Sequence, residues 1–325
     1  MKFFEIDDYM NDLRGKNIVI GGRGIGKTYS SLRNALNSLP AGRKFIYLRN
    51  TDIQLDECCS DFGNPFKKLN TDYNDNVRMV KSKQHANIID KDDDIIGYGC
   101  ALSTFGNLRS VDLSDVDLVI FEEFIEARTL SFDQFKAFQH FYETVNRNRE
   151  LFGEPALVVI MLSNSQSLNN PILIGYNLVE VIEKMIINGQ QKYKKGDIFI
   201  LLPDSEISRL KAETAHYKDL KGTKIYKEII ENQFSNDSMY AVVKRPLVEY
   251  IPICRLDDMY IYRHKSNSKF YICNTAAINI PEYTIKDNKM AFYKAVGKYL
   301  TSEYPLGNVE FSSFLVKSQI LKIII

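Results

Sequence analysis

Eight residues, Gly21-Gly22-Arg23-Gly24-Ile25-Gly26-Lys27-Thr28, separate a short apolar run, Asn17 to Ile20, from a stretch of helical apolar spacing, Thr28 to Leu39, that Pro40 stops. The pattern is GxxxxGK followed by a hydroxyl residue. Glycines let backbone N–H groups wrap closely round an anion, and the N-terminus of the following helix favours negative charge. The whole segment Gly21 to Thr28, with Tyr29 next on the helix, is therefore predicted to cradle the phosphates of a nucleotide. Lys27 would reach the β and γ oxygens and Thr28 would offer its hydroxyl to Mg²⁺. The alternative, a glycine turn that binds nothing, is disfavoured by the strand before it and the helix after it.

A second motif follows from the first. Leu118-Val119-Ile120-Phe121 is a strand-like run that ends in Glu122-Glu123. Burying a carboxylate without a partner is costly, so two acids at the end of an apolar strand are either solvated or employed. Beside a phosphate loop, Glu122 would hold the metal and Glu123 would polarise the attacking water as general base. Small-molecule kinases usually lack the second acid, and no NKxD element specifies guanine, so ATP hydrolysis is the predicted chemistry. Two weaker signals accompany it. Asn164 follows the apolar run Ala156 to Leu162 and is either a sensor of the γ-phosphate or ordinary turn chemistry. Arg147-Asn148-Arg149 is either a source of an arginine for a neighbouring subunit's phosphoryl transfer or a solvated basic helix end.

The first half of the chain alternates strands and helices: Lys44 to Leu48, Val116 to Phe121, a helix from Ser131 to about Arg149, Ala156 to Leu162, and Asp197 to Leu202. That order predicts an α/β fold with a mostly parallel central sheet and ligands beyond the carboxyl ends of its strands. Val77 to Leu102, broken by Lys91-Asp92-Asp93-Asp94, is predicted as a β-hairpin insertion. Ser205 to Ser235 turns polar, lysine-rich and helical, suited to a lid or linker. After Asp237 come short β-like runs, Met239 to Val243, Leu247 to Ile253, Met259 to Arg263 and Lys269 to Ile272. The organisation expected is an ATPase domain over 1–205, a linker or lid over 206–236, and a smaller β-rich α/β domain over 237–325.

Composition adds limits. At 325 residues the chain has room for two domains, and 45% hydrophobic residues can build a real core. A net charge of +1 does not announce nucleic acid, so any DNA contact has to be local. Five cysteines without metal-ligand spacing predict free thiols rather than disulfides or zinc. No signal peptide or membrane span is evident, which predicts a cytoplasmic protein without a membrane partner.

Taken together and in order, GGRGIGKT (21–28), FIYLRN (45–50), LVIFEEFI (118–125), TVNRNRE (144–150), LSN with NP and YNLV (162–179), LPDS (202–205) and ENQF (231–234) resemble the DNA-packaging ATPases of phi29-like podophages. These are ring translocases related to the large terminases and belong to the ASCE branch of P-loop ATPases. The resemblance implies a C-terminal domain of RNase H-like type and a pentameric ring that pumps double-stranded DNA into a procapsid through its portal. A packaging RNA is among the partners it brings into view, and the cytoplasm of an infected bacterial host is the place. It also implies that Arg147 acts in trans, that Asn164 is the sensor, and that Arg109 is a basic loop residue near the DNA path or the next subunit. Two departures stand out. The family's magnesium acid is usually Asp, where this chain has Glu122. Positions that would carry nuclease carboxylates hold His264 and Cys273, and a two-metal nuclease needs clustered acids, so no cleavage is expected. Outside this family, the same residues fit a helicase or recombination ATPase, or a nucleotide-gated assembly protein without steady turnover.

Overall fold

The apolar runs of the first half become neighbours in one twisted sheet. The computed structural model describes residues 2–108, 111–126, 130–164, 168, 170–204, 206–221 and 242–324. Contacts divide the chain into two compact units, Met1–Gly175 with Met185–Ser235, and Tyr176–Lys184 with Asn236–Ile325.

The first unit is built on nine strands: β1 (Lys16–Gly21), β2 (Lys44–Arg49), β3 (Arg78–Ser82), β4 (His85–Ile89), β5 (Ile95–Ala101), β6 (Val116–Glu122), β7 (Val158–Asn164), β8 (Lys192–Lys195) and β9 (Ile198–Leu201). Their spatial order is β3-β4-β5-β2-β6-β7-β1-β9-β8. All pairs from β5 through β9 are parallel, while β3, β4 and β8 extend the edges in antiparallel fashion. This is the α/β fold expected from the alternation of elements. The central strands are buried on both faces, as Ile18, Val19, Ile46, Leu48, Ile120, Phe121, Ile160 and Met161 show. Such two-sided burial is why they read as continuous apolar runs. Each side chain of this kind contributes about 1.5–3 kcal/mol relative to exposure.

Helices follow the strands: α1 (Lys27–Ser38), α2 (Asp52–Cys58), α3 (Lys67–Tyr73), α4 (Gln134–Asn146), α5 (Pro171–Gly175), α6 (Val179–Ile187), whose first six residues belong to the second unit, α7 (Glu206–Ala212) and α8 (Ala215–Asp219). Leu32 and Ala35 of α1 enter the sheet's core cluster. On α4, Phe138 stacks on Phe121 with ring centroids 6.0 Å apart, and Phe141 meets Phe105 edge-on at 4.6 Å. The insertion between 77 and 102 is a meander: Lys91 to Asp94 turn the chain from β4 into β5, which then joins β2 in parallel. A 3₁₀ turn, Ile6–Asp12, straps α1 from outside. Ser30 Oγ accepts from the Ile6 amide at 2.7 Å, Arg33 pairs with Glu5 and Asp7, and the Phe4 amide donates to the Ile25 carbonyl at 2.9 Å. The N-terminal segment thus braces the back of the glycine loop.

Two register facts place the site. β7 lies between β1 and β6, with Gly21 opposite Asn164 and Glu122 opposite Leu162. The loop, the acids and the amide therefore leave the sheet side by side at its carboxyl edge.

In the second unit, β10 (Tyr250–Leu256), β11 (Met259–His264) and β12 (Phe270–Cys273) form an antiparallel meander. β13 (Glu282–Tyr283) lies parallel to β10 and β14 (Val309–Phe311) parallel to β12. The helices α9 (Ile285–Phe292), α10 (Lys298–Glu303) and α11 (Phe314–Ile324) cover one face, and Phe292, Leu300 and Ile320 join Ile261, Ile272 and Phe311 in its core. Among the described residues, no helix is long and apolar enough to cross a membrane.

Candidate active site

The glycine loop closes onto α1 through two left-handed residues, Gly24 at φ +72° and Gly26 at φ +100°. Side chains resist both conformations. A Cβ on Gly24 would also stand 2.7 Å from Lys211 Nζ. Lys27 begins α1 and is buried. Its Nζ donates to the carbonyls of Gly21 at 3.0 Å and Gly22 at 2.8 Å, and to Asn164 Oδ1 at 3.2 Å. Burial pulls its pKa down to about 8, against the attraction of Glu122 and with some help from Lys211. An ammonium tied to so few neutral oxygens gains from an incoming polyanion.

Beside it, Thr28 Oγ1 donates to Glu122 Oε1 at 2.8 Å. The other oxygen of Glu122 is buried and has no hydrogen-bond partner. Burial raises the Glu122 pKa, while the Thr28 hydrogen bond, Arg49 and Lys27 oppose the rise and Glu123 adds to it. An unpartnered buried carboxylate oxygen next to a threonine hydroxyl is an oxygen-donor set that suits Mg²⁺. The methylene that distinguishes Glu122 from the family's usual aspartate does not keep it from Thr28.

Glu123 is held differently. It adopts φ +50°, an uncommon conformation for a non-glycine residue. Its Oε2 pairs with Arg49 Nη2 at 2.8 Å, and its carbonyl accepts from Asn50 Nδ2 at 2.9 Å. Behind this corner lies a buried amide network. Gln134 Nε2 donates to Asn50 Oδ1 and to the Phe124 carbonyl, and Asn170 Nδ2 donates to the same carbonyl and to Gln134 Oε1. The network fixes the turn that carries the acids and leaves Glu123, 44% exposed along its side chain, free to exchange partners.

Lys27, Thr28, Glu122, Glu123 and Asn164 thus converge, with Arg23 and Ile25 in the loop between them. Tyr29 is directed elsewhere, since its hydroxyl donates to Asp72 at 2.8 Å and burial with that bond lifts its pKa to about 12. Arg147 also stands apart. It caps α4 at φ +42° and pairs with Asp112 and the Val111 carbonyl, on the side where β6 begins. The seven residues of β6 put about 20 Å between that side and Glu122. Arg149, two residues on, is buried against Asp117 and the carbonyls of Ser114 and Val116 and serves the fold. Arg109 lies outside the described residues. In the second unit, His264 packs edge-on against Tyr250 and Cys273 is buried among the tyrosines 250, 262 and 271.

Arg49, Asn50 and Asn170 stand in the sequence only as members of quoted motifs with no role attached, and Gln134 carries no signal there at all. Within the lysine-rich stretch after Ser205, Lys211 reaches back from α7 to the Arg23 carbonyl at 2.5 Å.

The family profile described as podovirus DNA encapsidation protein (Gp16) matches residues 2–304. The chain belongs to that family. Gp16-family relatives agree: it is 29% identical over 234 residues to the DNA packaging protein of Bacillus phage phi29, covering 70% of this chain and 65% of that protein. To the DNA packaging protein of Bacillus phage B103 it is 30% identical, covering 70% and 67%. The match therefore spans just under two thirds of the phi29 protein's length. In fold, this Gp16-family chain is similar to a protein of the bacteriophage phi29 viral genome packaging motor assembly, with a TM-score of 0.65, 21% identity and 99% of both chains covered.

Proposed function

We propose that the chain is the ATP-hydrolysing subunit of a viral DNA-packaging motor and that it moves double-stranded DNA into a procapsid. The observation that carries this reading is the convergence of Lys27, Thr28, Glu122, Glu123 and Asn164 at the carboxyl ends of β1, β6 and β7, in a chain of the DNA encapsidation family.

In this reading the amides from Gly22 to Thr28 and the Lys27 ammonium hold the triphosphate. Thr28 and Glu122 would hold Mg²⁺, which supplies neutralisation of phosphate charge. Glu123 leaves Arg49, turns toward the γ-phosphate and accepts the proton of the attacking water. Asn164, already bonded to Lys27, registers loss of the terminal phosphoryl group. Arg147 serves the site of a neighbouring copy, because β6 holds it too far from its own.

The assembly proposed is a homo-oligomeric ring of five copies on the procapsid portal in the cytoplasm of an infected bacterium, with a packaging RNA as a further contact. The second unit is proposed to be an RNase H-like domain without nuclease activity, a reading supported by His264 and Cys273 at strand positions that the family resemblance assigns to nuclease acids.

An in vitro packaging assay with procapsids, DNA and ATP tests the function. Lys27→Ala should lose both ATP turnover and DNA protection from nuclease, and full packaging by this variant would refute the proposal.

A further inference from the structure

The chain leaves β9 along the glycine loop. A Cβ on Gly21 would stand 2.9 Å from the Pro203 ring, and Glu206, where α7 begins, accepts from the Lys2 amide at 2.9 Å. Ile207 is buried in the sheet's core cluster, and Arg209 pairs with Asp204 at the entry to the helix. These contacts hold α7 beside the loop, and its penultimate residue, Lys211, reaches the loop itself. Lys211 Nζ donates to the Arg23 carbonyl at 2.5 Å and lies against Gly24.

The charges closest to that ammonium are of its own sign. Among the described residues no carboxylate pairs with it, whereas Lys218 in the same stretch pairs with Glu213 at 3.3 Å. Burial lowers the Lys211 pKa, and the Arg23 guanidinium adds to the fall. Lys211 in turn helps to lower the pKa of the buried Lys27, while Glu122 and Glu123 draw on Lys27 and not on Lys211. A lysine kept for solubility would carry its head into water. Lys211 instead brings a third cation to a loop that already holds Arg23 and Lys27, with the Arg23 carbonyl taking one of its three N–H donors. Like charges gathered in partly dehydrated space oppose one another unless an anion shares that space.

We propose that Lys211 is a phosphate-binding residue: with ATP in the loop, its ammonium leaves the Arg23 carbonyl, donates to an oxygen of the triphosphate and joins Lys27 in neutralising it. The inference rests on the nucleotide site proposed above and deepens it, because it recruits a side chain from α7, far along the chain from the loop. A bond between ammonium and phosphate is charge-assisted, so what Lys211 contributes to nucleotide affinity follows its charge and not merely its ability to donate. A Lys211 that did no more than brace the Arg23 carbonyl would need only an N–H.

Equilibrium binding of a fluorescent, slowly hydrolysed ATP analogue to the full-length chain with Mg²⁺ separates the two roles. Lys211→Gln keeps an N–H for the Arg23 carbonyl and loses the charge, so its Kd should rise about tenfold or more. Lys211→Met should match it, and Lys211→Arg should return to within about threefold of wild type, which shows that the loss is not one of folding. Weak binding by Lys211→Met that Lys211→Gln restores would identify a brace on the loop and overturn the phosphate contact, as would unchanged affinity in all three variants. Lys27→Ala in the same series keeps the two readings apart. Binding lost in Lys27→Ala but retained by every Lys211 variant overturns the role of Lys211 alone, whereas a wild-type chain that binds no analogue overturns the nucleotide site and this inference with it.

Discussion

At the scale of single residues the site is governed by what burial does to charge. Lys27 carries its ammonium into the protein with only two loop carbonyls and one amide oxygen around it, and its pKa falls from 10.5 to about 8. A lysine whose folded pKa is depressed binds fewer protons folded than unfolded between those two values, so its contribution to stability rises with pH from about 8 to 10.5. Below about 8 the folded state bears the full desolvation penalty. Urea denaturation should therefore show the wild type gaining stability relative to Lys27→Met across that range, by up to about 3 kcal/mol if the whole shift is expressed. A constant difference between the two proteins from pH 7.5 to 10.5 would mean that the lysine is not desolvated in this way. On the proposed function the reserve has a use, because a triphosphate would add to the negative charge that Glu122 and Glu123 supply only in part.

At the scale of elements, the strand ends matter most, and the amide network beneath them is what keeps the acids in place. Gln134 serves Asn50, Phe124 and Asn170 at once, and all three partners are buried or behind the corner. Gln134→Leu fills the space but leaves Asn50 Oδ1 without its donor and the Phe124 carbonyl with Asn170 alone, which should cost about 2 kcal/mol in thermal or urea unfolding. A neutral substitution would show that the network is dispensable. The elements themselves were largely legible. Strands β1, β2, β6, β7 and β9 are apolar runs because both faces are covered, and the motif residues sit at their ends because a parallel sheet gathers ligands there. What escaped the sequence has a physical reason in each case. Strand β8, Lys192–Lys195, lies at an exposed edge and has no apolar pattern to betray it. Arg49 follows an apolar strand just as Glu122 does, yet nothing in its own neighbourhood says that it will meet Glu123, 74 residues away. Arg147 and Arg149 look equivalent in sequence. Only the two left-handed residues at 147 and 148, which turn the chain between them, send one outward and bury the other.

At the scale of the whole molecule, the proposed function assigns Arg147 to the nucleotide site of a neighbouring copy. On that proposal activity is a property of the boundary between copies, and mixing would expose it. Lys27→Ala chains have an intact arginine edge, and Arg147→Ala chains have an intact nucleotide edge. Each alone should be inactive in ATP turnover with DNA. Mixed in equal amounts, they should recover activity well above either parent, because some boundaries then join two intact edges. No recovery at any ratio would place Arg147 in its own chain's site or outside the chemistry altogether.

The proposed hydrolysis depends on Glu123, the carboxylate now paired with Arg49, acting on water at the terminal phosphate. Its most direct measurement is steady-state ATP hydrolysis by Glu123→Gln beside the wild type, with nucleotide affinity measured on the same samples. The amide keeps the shape and the hydrogen bond to Arg49's neighbourhood but cannot take a proton, so turnover should fall by about 10²- to 10⁴-fold while affinity changes little. Turnover within a few-fold of wild type at unchanged affinity would contradict it.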